Sequence, residues 1–199
     1  MFSVAVIGYL LGNIQTGYIL TRLTRKGDIH RKNSGKAGAP NTVVTPGWKY
    51  NLVTLFINAI KATSAVYISN FLYPDETVLA FFAGIMAVLG DIYPAVIKFK
   101  GGKGIAPLLG VLLGFDIRLA LLLVIIGGAA VIISNYVMLG NVVIVVLLPI
   151  FLFYYGYSTP VILMSMSISI LAIWKHRINF QRLVSGEEET FRSLFKTKK

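Results

Sequence analysis

The chain contains no cysteine, which excludes disulfides and any thiol nucleophile. It has only two histidines, His30 and His176, and they leave no His/Cys/Asp/Glu cluster of the kind that holds zinc or iron. Charge is scarce as well: 14% of residues are charged and eight are acidic, against 56% hydrophobic and a mean hydropathy of +0.74. A soluble domain of 199 residues cannot bury that much apolar surface, so the sequence reads as an integral membrane protein. A long polar stretch is also lacking. The longest is 21–50, and 25 residues follow Trp174, so 1–199 reads as one polytopic membrane domain with a short basic cytoplasmic tail, 175–199. No internal repeat or low-complexity block interrupts it.

What is abundant is apolar sequence in runs. Set against the roughly 17 to 25 residues that cross a bilayer, the runs predict an all-α protein with spans near 2–20, 51–73, 77–97, 105–115, 118–134, 137–155 and 159–174. The fourth is short, and Phe115-Asp116-Ile117-Arg118 is a weak boundary, so a six-span alternative fuses 105–134. Charge distribution favours seven. With seven spans, seventeen of the nineteen Lys and Arg fall on one side: in 22–49, at Lys98, Lys100 and Lys103, and from Lys175 onward. The positive-inside rule then puts the amino terminus outside and the carboxyl terminus in the cytoplasm. Fusing spans four and five would strand the carboxyl-terminal cluster outside. Residues 2–20 have no basic segment ahead of them and are followed by arginines, the reverse of a cleavable signal, so they count as a span. The net charge of +11 therefore reads as loops meeting anionic lipid. It does not read as nucleic-acid binding, because no basic segment is interleaved with stacking aromatics. After Trp174, Phe180, Leu183 and Val184 beside Arg177 and Arg182 predict a short amphipathic surface helix, with Glu187–Glu189 and the terminal KTKK solvated.

This orientation places three polar segments on the cytoplasmic face: NSGKAGAPN (Asn33–Asn41), KFKGGKG (Lys98–Gly104) and HRIN (His176–Asn179). The first two combine lysine with glycine, whose missing Cβ lets successive backbone N–H groups turn toward an anion. Phosphate is the ligand type such loops suit. Neither is a Walker loop: Gly104 follows Lys103 where Ser or Thr is needed, and Ile97 stands where the leading glycine would be. Each segment alone also has a plain reading, as a basic turn or an interfacial histidine, and only their convergence on one face favours an anion site.

GDIYPAVIKFKGGKG (Gly90–Gly104), NSGKAGAPN, HRIN and GNIQTGYIL (Gly12–Leu20) together resemble the bacterial acyl-phosphate:glycerol-3-phosphate acyltransferases, the PlsY family, across essentially the whole chain. The most specific parts are PxxxxFKGGKG and HRxN. The resemblance implies transfer of a fatty acyl group from acyl phosphate to the 1-hydroxyl of sn-glycerol 3-phosphate, giving lysophosphatidic acid at the cytoplasmic face of a bacterial plasma membrane. It implies a monomer with lipid around it and no metal, coenzyme or covalent intermediate. In family terms the amides of Gly101, Gly102 and Gly104 with Lys103 hold phosphate, and Ser34 orients or helps deprotonate the attacking hydroxyl. His176 and Asn179 fix the acceptor, and Gly35, Lys36, Gly38 and Asn41 of the first loop bind substrate.

The chain departs from the family's pattern in places. The first motif reads approximately SGNxGATNxxR in the family, and here Lys36 replaces the asparagine and Val44 the phosphate-binding arginine. A charge-assisted phosphate contact is worth about 1.5 to 3 kcal/mol, and Lys36 offers a cation without arginine's two-pronged geometry. The segment Asn135–Asn141 replaces the family's RYVSLAS-like stretch and its serine. A paralogue with another polyol-phosphate acceptor, or a catalytically silent lipid- or acyl-phosphate-binding protein, are the alternatives these changes leave. A transporter fits less well, since the spans carry few ionisable groups and no paired half-helices. Finally, Asn58 replaces an aspartate in span two while Lys61 is kept, and Asp91 replaces a histidine in span three. At about 1.5 Å per residue these positions lie at similar depth. That predicts a Lys61–Asp91 ion pair, the alternative being that Asp91 reaches the interface by itself.

Overall fold

The structure, a computed structural model, describes residues 1–23 and 48–195. The segment carrying Ser34, Gly35, Lys36, Gly38, Asn41 and Val44 lies outside the described residues, and so do the expectations placed on it.

Every regular element among the described residues is helical. The chain runs through α1 (Phe2–Gly12), α2 (Thr16–Leu23), α3 (Trp48–Leu72), α4 (Thr77–Ile92), a 3-10 turn (Ala95–Ile97) and α5 (Ile105–Phe115). It continues through α6 (Ile117–Ser134), α7 (Val137–Tyr154), α8 (Thr159–Lys175), α9 (Arg177–Val184) and a second 3-10 turn (Phe191–Phe195). Among the described residues five stretches are long and apolar enough to cross a bilayer: Phe2–Leu20, Asn51–Leu72, Thr77–Ile97, Ile117–Ser134 and Val137–Tyr154. A sixth is added if α8 and α9, bent by 44°, count as one, and the eleven-residue α5 is shorter.

Two breaks divide the apolar runs. The first apolar run, 2–20, is not one helix: α1 stops at Gly12, and Asn13–Gln15 separate it from α2. Runs 105–115 and 118–134 are separate helices, and the fused helix of the six-span alternative does not form. Asp116 is extended (φ −150°, ψ 102°), and its carboxylate accepts the N–H groups of Arg118 (2.9 Å) and Leu119 (3.2 Å), so it ends one helix and caps the next.

The helices group into two compact units, Met1–Phe115 and Asp116–Lys199. In the first, α1 packs on α4, and α3 on α4 and α5. Small residues allow the close approach: a Cβ on Gly12 would run into the Ala87 carbonyl, one on Gly90 into the Tyr9 carbonyl, and one on Gly110 into the Ala59 carbonyl. Thr63 Oγ1 also donates to the Gly110 carbonyl at 2.6 Å, tying α3 to α5. In the second unit α7 contacts both α6 and α8, and Ser169 Oγ donates to the Val145 carbonyl at 2.6 Å across α8 and α7. Large apolar side chains left outward, such as Phe71, Ile125, Ile133 and Phe153, suit a lipid solvent.

Candidate active site

KFKGGKG follows the end of α4. Pro94 starts the 3-10 turn, Lys98 and Phe99 both take positive φ (54° and 61°), and Gly104 (φ 81°) leads into α5. The glycines have packing reasons. A Cβ on Gly101 would meet the main-chain oxygens of Asp91 and Ile92 and the Pro94 ring, and one on Gly104 would meet Ile92 and Val88. Gly102 donates its N–H to the Asp91 carbonyl at 3.0 Å. That amide is engaged within the protein, against the end of α4. Lys103 is half-buried between two buried glycines.

Behind the loop lies a polar cluster in an otherwise apolar unit. Lys61 Nζ is 2.8 Å from Asp91 Oδ1, the two side chains being 4% and 6% exposed. Nζ also donates to the carbonyls of Gly12 (3.1 Å) and Ile14 (2.9 Å). Its three hydrogens therefore match three acceptors, which is what keeps a buried ammonium tolerable. Asn58 does not join this pair; its Oδ1 accepts from Thr16 Oγ1 at 3.1 Å. Asp91 is the hinge of the arrangement: its side chain takes Lys61, and its main-chain oxygen takes Gly102 N–H and, at 3.4 Å, Gln15 Nε2. Asn13 Oδ1 accepts from Ala95 N at 2.7 Å, and Tyr9 Oη donates to the Tyr93 carbonyl at 2.8 Å. Sequence reading missed Tyr9, Asn13, Gln15 and Thr16; the signal was polar residues recurring within an apolar run.

In the second unit His176 is fully buried and stands at the bend between α8 and α9. Its Nδ1 lies 2.8 Å from the Ala172 carbonyl. A carbonyl can only accept, so Nδ1 carries the hydrogen in this arrangement, and the neutral ring keeps its basic lone pair on Nε2. Asn179, one turn on, donates its main-chain N–H to the His176 carbonyl at 2.8 Å and its side-chain Nδ2 to Glu188 Oε1 at 2.6 Å. Glu188 was expected to be solvated with its neighbours; it is half-buried, while Glu187 and Glu189 are exposed. The structure thus brings His176 and Asn179 together in one unit and places Lys103, Lys61 and Asp91 together in the other.

The sequence profile of the glycerol-3-phosphate acyltransferase family matches residues 2–186. The chain belongs to that family. A glycerol-3-phosphate acyltransferase of Agrobacterium fabrum is 39% identical over 184 residues, covering 92% of this chain and 88% of that relative. One from Rhizobium etli is 36% identical over 186 residues, covering 94% and 89%. Among solved structures, the glycerol 3-phosphate form of PlsY (YgiH), an integral membrane glycerol 3-phosphate acyltransferase, superposes with a TM-score of 0.90 at 31% identity, covering 98% of both chains. Its lysophosphatidic acid form gives 0.86 at 30% identity over 97% of both. As a member of this acyltransferase family the chain is a helical membrane protein. Its two described polar clusters sit at KFKGGKG and HRIN, the stretches in which the family resemblance is most specific.

Proposed function

We propose that this chain transfers an acyl group from acyl phosphate to the 1-hydroxyl of sn-glycerol 3-phosphate, releasing phosphate and lysophosphatidic acid. The observation that carries the reading is likeness along the whole chain to a glycerol 3-phosphate form and a lysophosphatidic acid form of one acyltransferase, one named for a substrate and the other for an acylated product. The acyl phosphate is already activated. The enzyme's task is to bring two phosphates together, aim a hydroxyl at the carbonyl and stabilise the charge that develops there. In this reading Lys103 and the Gly104 end of its loop hold the donor phosphate, with Gly101 allowing close approach and the Gly102 amide retained by Asp91. His176 Nε2 is chemically suited to accept a hydroxyl proton, and Asn179 fixes the acceptor with Ser34 and the first loop.

The accompanying topology is seven spans in a bacterial plasma membrane, amino terminus outside and the site on the cytoplasmic face, as one monomeric polytopic domain. The charge asymmetry supports it: all three lysines of KFKGGKG and the basic tail fall on one side. Val44 gives a second reading its foothold, a changed polyol-phosphate acceptor, because the family's arginine is missing there.

Purified protein assayed with acyl phosphate and a panel of polyol phosphates separates these. Turnover of glycerol 3-phosphate that Lys103→Ala abolishes supports the first reading; preference for another polyol phosphate supports the second; silence with every acceptor sinks both. Val44→Arg is expected to lower the acceptor KM about tenfold with little change in kcat, since a phosphate contact away from the reacting hydroxyl binds ground and transition states alike. If Lys36 already supplies the cation, Lys36→Ala raises that KM instead.

A further inference from the structure

The segment leading into KFKGGKG leaves its helix while Asp91, Ile92 and Pro94 are still buried. α4 ends at Ile92, Tyr93 departs from helical angles (φ −128°, ψ 63°) and Pro94 is extended, so main-chain groups there need partners from outside the helix. Three side chains from the end of α1 and the break after it meet them at alternate positions. Gln15 Nε2 donates to the Asp91 carbonyl at 3.4 Å, Tyr9 Oη donates to the Tyr93 carbonyl at 2.8 Å, and Asn13 Oδ1 accepts from Ala95 N at 2.7 Å. Asn13 is itself oriented, because its Nδ2 donates to the Tyr9 carbonyl at 2.8 Å and its oxygen is therefore the edge turned to Ala95. Lys61 spans both parts, donating to Gly12 and Ile14 at the break and to Asp91 on α4. An unbroken helix would turn those two carbonyls into its own ladder.

Just beyond this grip the backbone is costly. Lys98 and Phe99 are consecutive non-glycine residues at positive φ (54° and 61°), a conformation that persists only where its surroundings over-determine it. The restraints lead back to the gripped segment: Phe99 N–H donates to the Pro94 carbonyl at 2.9 Å, and Gly102 N–H closes the loop onto the Asp91 carbonyl at 3.0 Å. We propose that the break between α1 and α2 is a clamp for this loop, with Tyr9 and Asn13 as positioning residues that hold 93–95 so that KFKGGKG keeps the shape in which it takes a phosphate. The clamp gives the interruption of the first apolar run a function in the reaction, beyond the closing of its own hydrogen bonds. The inference rests on the acyltransferase reading, in which this loop holds a substrate phosphate.

The test measures both Michaelis constants of the full-length protein in nonionic detergent, with acyl phosphate as donor and glycerol 3-phosphate as acceptor. Lys103→Arg keeps the charge but changes its geometry, so the constant it raises identifies the phosphate that the loop holds; the donor's is expected. Tyr9→Phe removes one hydroxyl from the clamp and should raise that same constant about three- to tenfold, the worth of one hydrogen bond, leaving the other within about twofold. Asn13→Leu should act in the same direction and further. Thr63→Val is the control: it removes a 2.6 Å bond to the Gly110 carbonyl, between α3 and α5, and should lower thermal stability without moving either constant. Hydrogen exchange at Lys98, Phe99 and Lys100 follows the loop in any variant that does not turn over, and should quicken in the two clamp variants alone. Unchanged constants in both clamp variants overturn the positioning role, and so does a Thr63→Val protein that shifts them equally. Loop exchange as slow as in wild type overturns the clamp itself. If Lys103→Arg and the clamp variants all raise the acceptor constant, the clamp stands and the donor assignment is what fails. A wild-type protein that acylates nothing sinks the acyltransferase reading and the role in the reaction with it, whatever the exchange shows of the clamp.

Discussion

Two breaks interrupt apolar helices in this chain, and they are closed by opposite means. At Asn13–Gln15, inside the first apolar run, the carbonyls freed at the break are met by a side chain from far along the sequence, Lys61 on Gly12 and Ile14, with Gln15 adding a local contact to Gly12 at 3.3 Å. A buried carboxylate, Asp91, neutralises the lysine. At Asp116, between α5 and α6, the closure is almost entirely local: one half-buried carboxylate takes two N–H groups of the following turn and a 2.7 Å hydrogen bond from Tyr157 Oη. Water cannot reach a break in the middle of an apolar run to complete its hydrogen bonds, so the protein must import polar groups and satisfy each of them. A break near water needs only a cap. The first arrangement is expensive to damage and ties distant segments together; the second is cheap and isolated.

The largest effect should come from Lys61→Met. Removing one member of a buried pair leaves the other charge unpaired and costs about 3 to 5 kcal/mol, and here the carbonyls of Gly12 and Ile14 lose the Lys61 donor as well. Asp91→Leu should cost less, because Lys61 keeps its carbonyl partners. The double variant should fall short of the sum by about 1 to 3 kcal/mol, read from thermal unfolding in detergent. Strict additivity would mean that the two groups do not interact, and the contrast between the breaks would lose its basis.

Asn13→Leu comes next. Its amide closes the break toward the loop before KFKGGKG, accepting from Ala95 N at 2.7 Å and donating to the Tyr9 carbonyl at 2.8 Å. Losing both leaves part-buried backbone groups unmet, at about 1 to 3 kcal/mol. Hydrogen exchange should quicken at Ala95 and neighbouring amides; exchange confined to α1 would show that the break is not coupled to the loop.

Which parts of this were legible in the sequence follows the same physics. Helix ends were readable from run length and charge: the charge distribution kept 105–115 apart from 118–134 across a weak boundary, and the 105–115 and 137–155 runs fall within a residue of α5 and α7. The Lys61–Asp91 contact was readable because an intramembrane lysine demands an anion and helical rise fixes depth. The break between α1 and α2 was not, since the hydropathy of the 2–20 run still passes for a span and the closure depends on residues 40 to 80 positions away. Glu188 was hidden among three consecutive glutamates, whose pattern looks solvated whichever of them the Gly186 turn aims inward. Nor does a glycine-rich loop show in sequence which of its amides packs it against α4; here the Gly102 N–H is one that does.

Asp116→Ala should cost about 1 kcal/mol, a helix-cap effect felt in α6 and not in the first unit's break. Hydrogen exchange at Arg118 and Leu119 would show it, and protection lost equally at Gly12 to Gln15 would contradict the claim that this closure is isolated.

The smallest expected effect is that of Tyr157→Phe, and it separates the cap into its parts. Partial burial opposes ionisation of Asp116, but the hydrogen bonds from Tyr157 Oη and from the backbone N–H groups of Leu119 and Arg118 outweigh it and hold the carboxyl below the ordinary aspartate range. Burial first, and then the neighbouring carboxylate, push the Tyr157 phenol upward, so it remains a donor throughout the neutral range. A carboxyl with a lowered folded-state pKa contributes stability that is present above its unfolded value, about 4, and is lost as pH falls through the folded value. The wild-type advantage over Tyr157→Phe should therefore be about 0.5 kcal/mol at neutral pH, discounted for the exposure of the site. It should shrink between about pH 5 and about pH 2 as Asp116 protonates. Thermal unfolding of both proteins in a nonionic detergent across that range is the measurement. An advantage that does not change with pH would mean that the Tyr157 hydroxyl contributes by packing, leaving the backbone N–H groups alone to hold the Asp116 carboxylate.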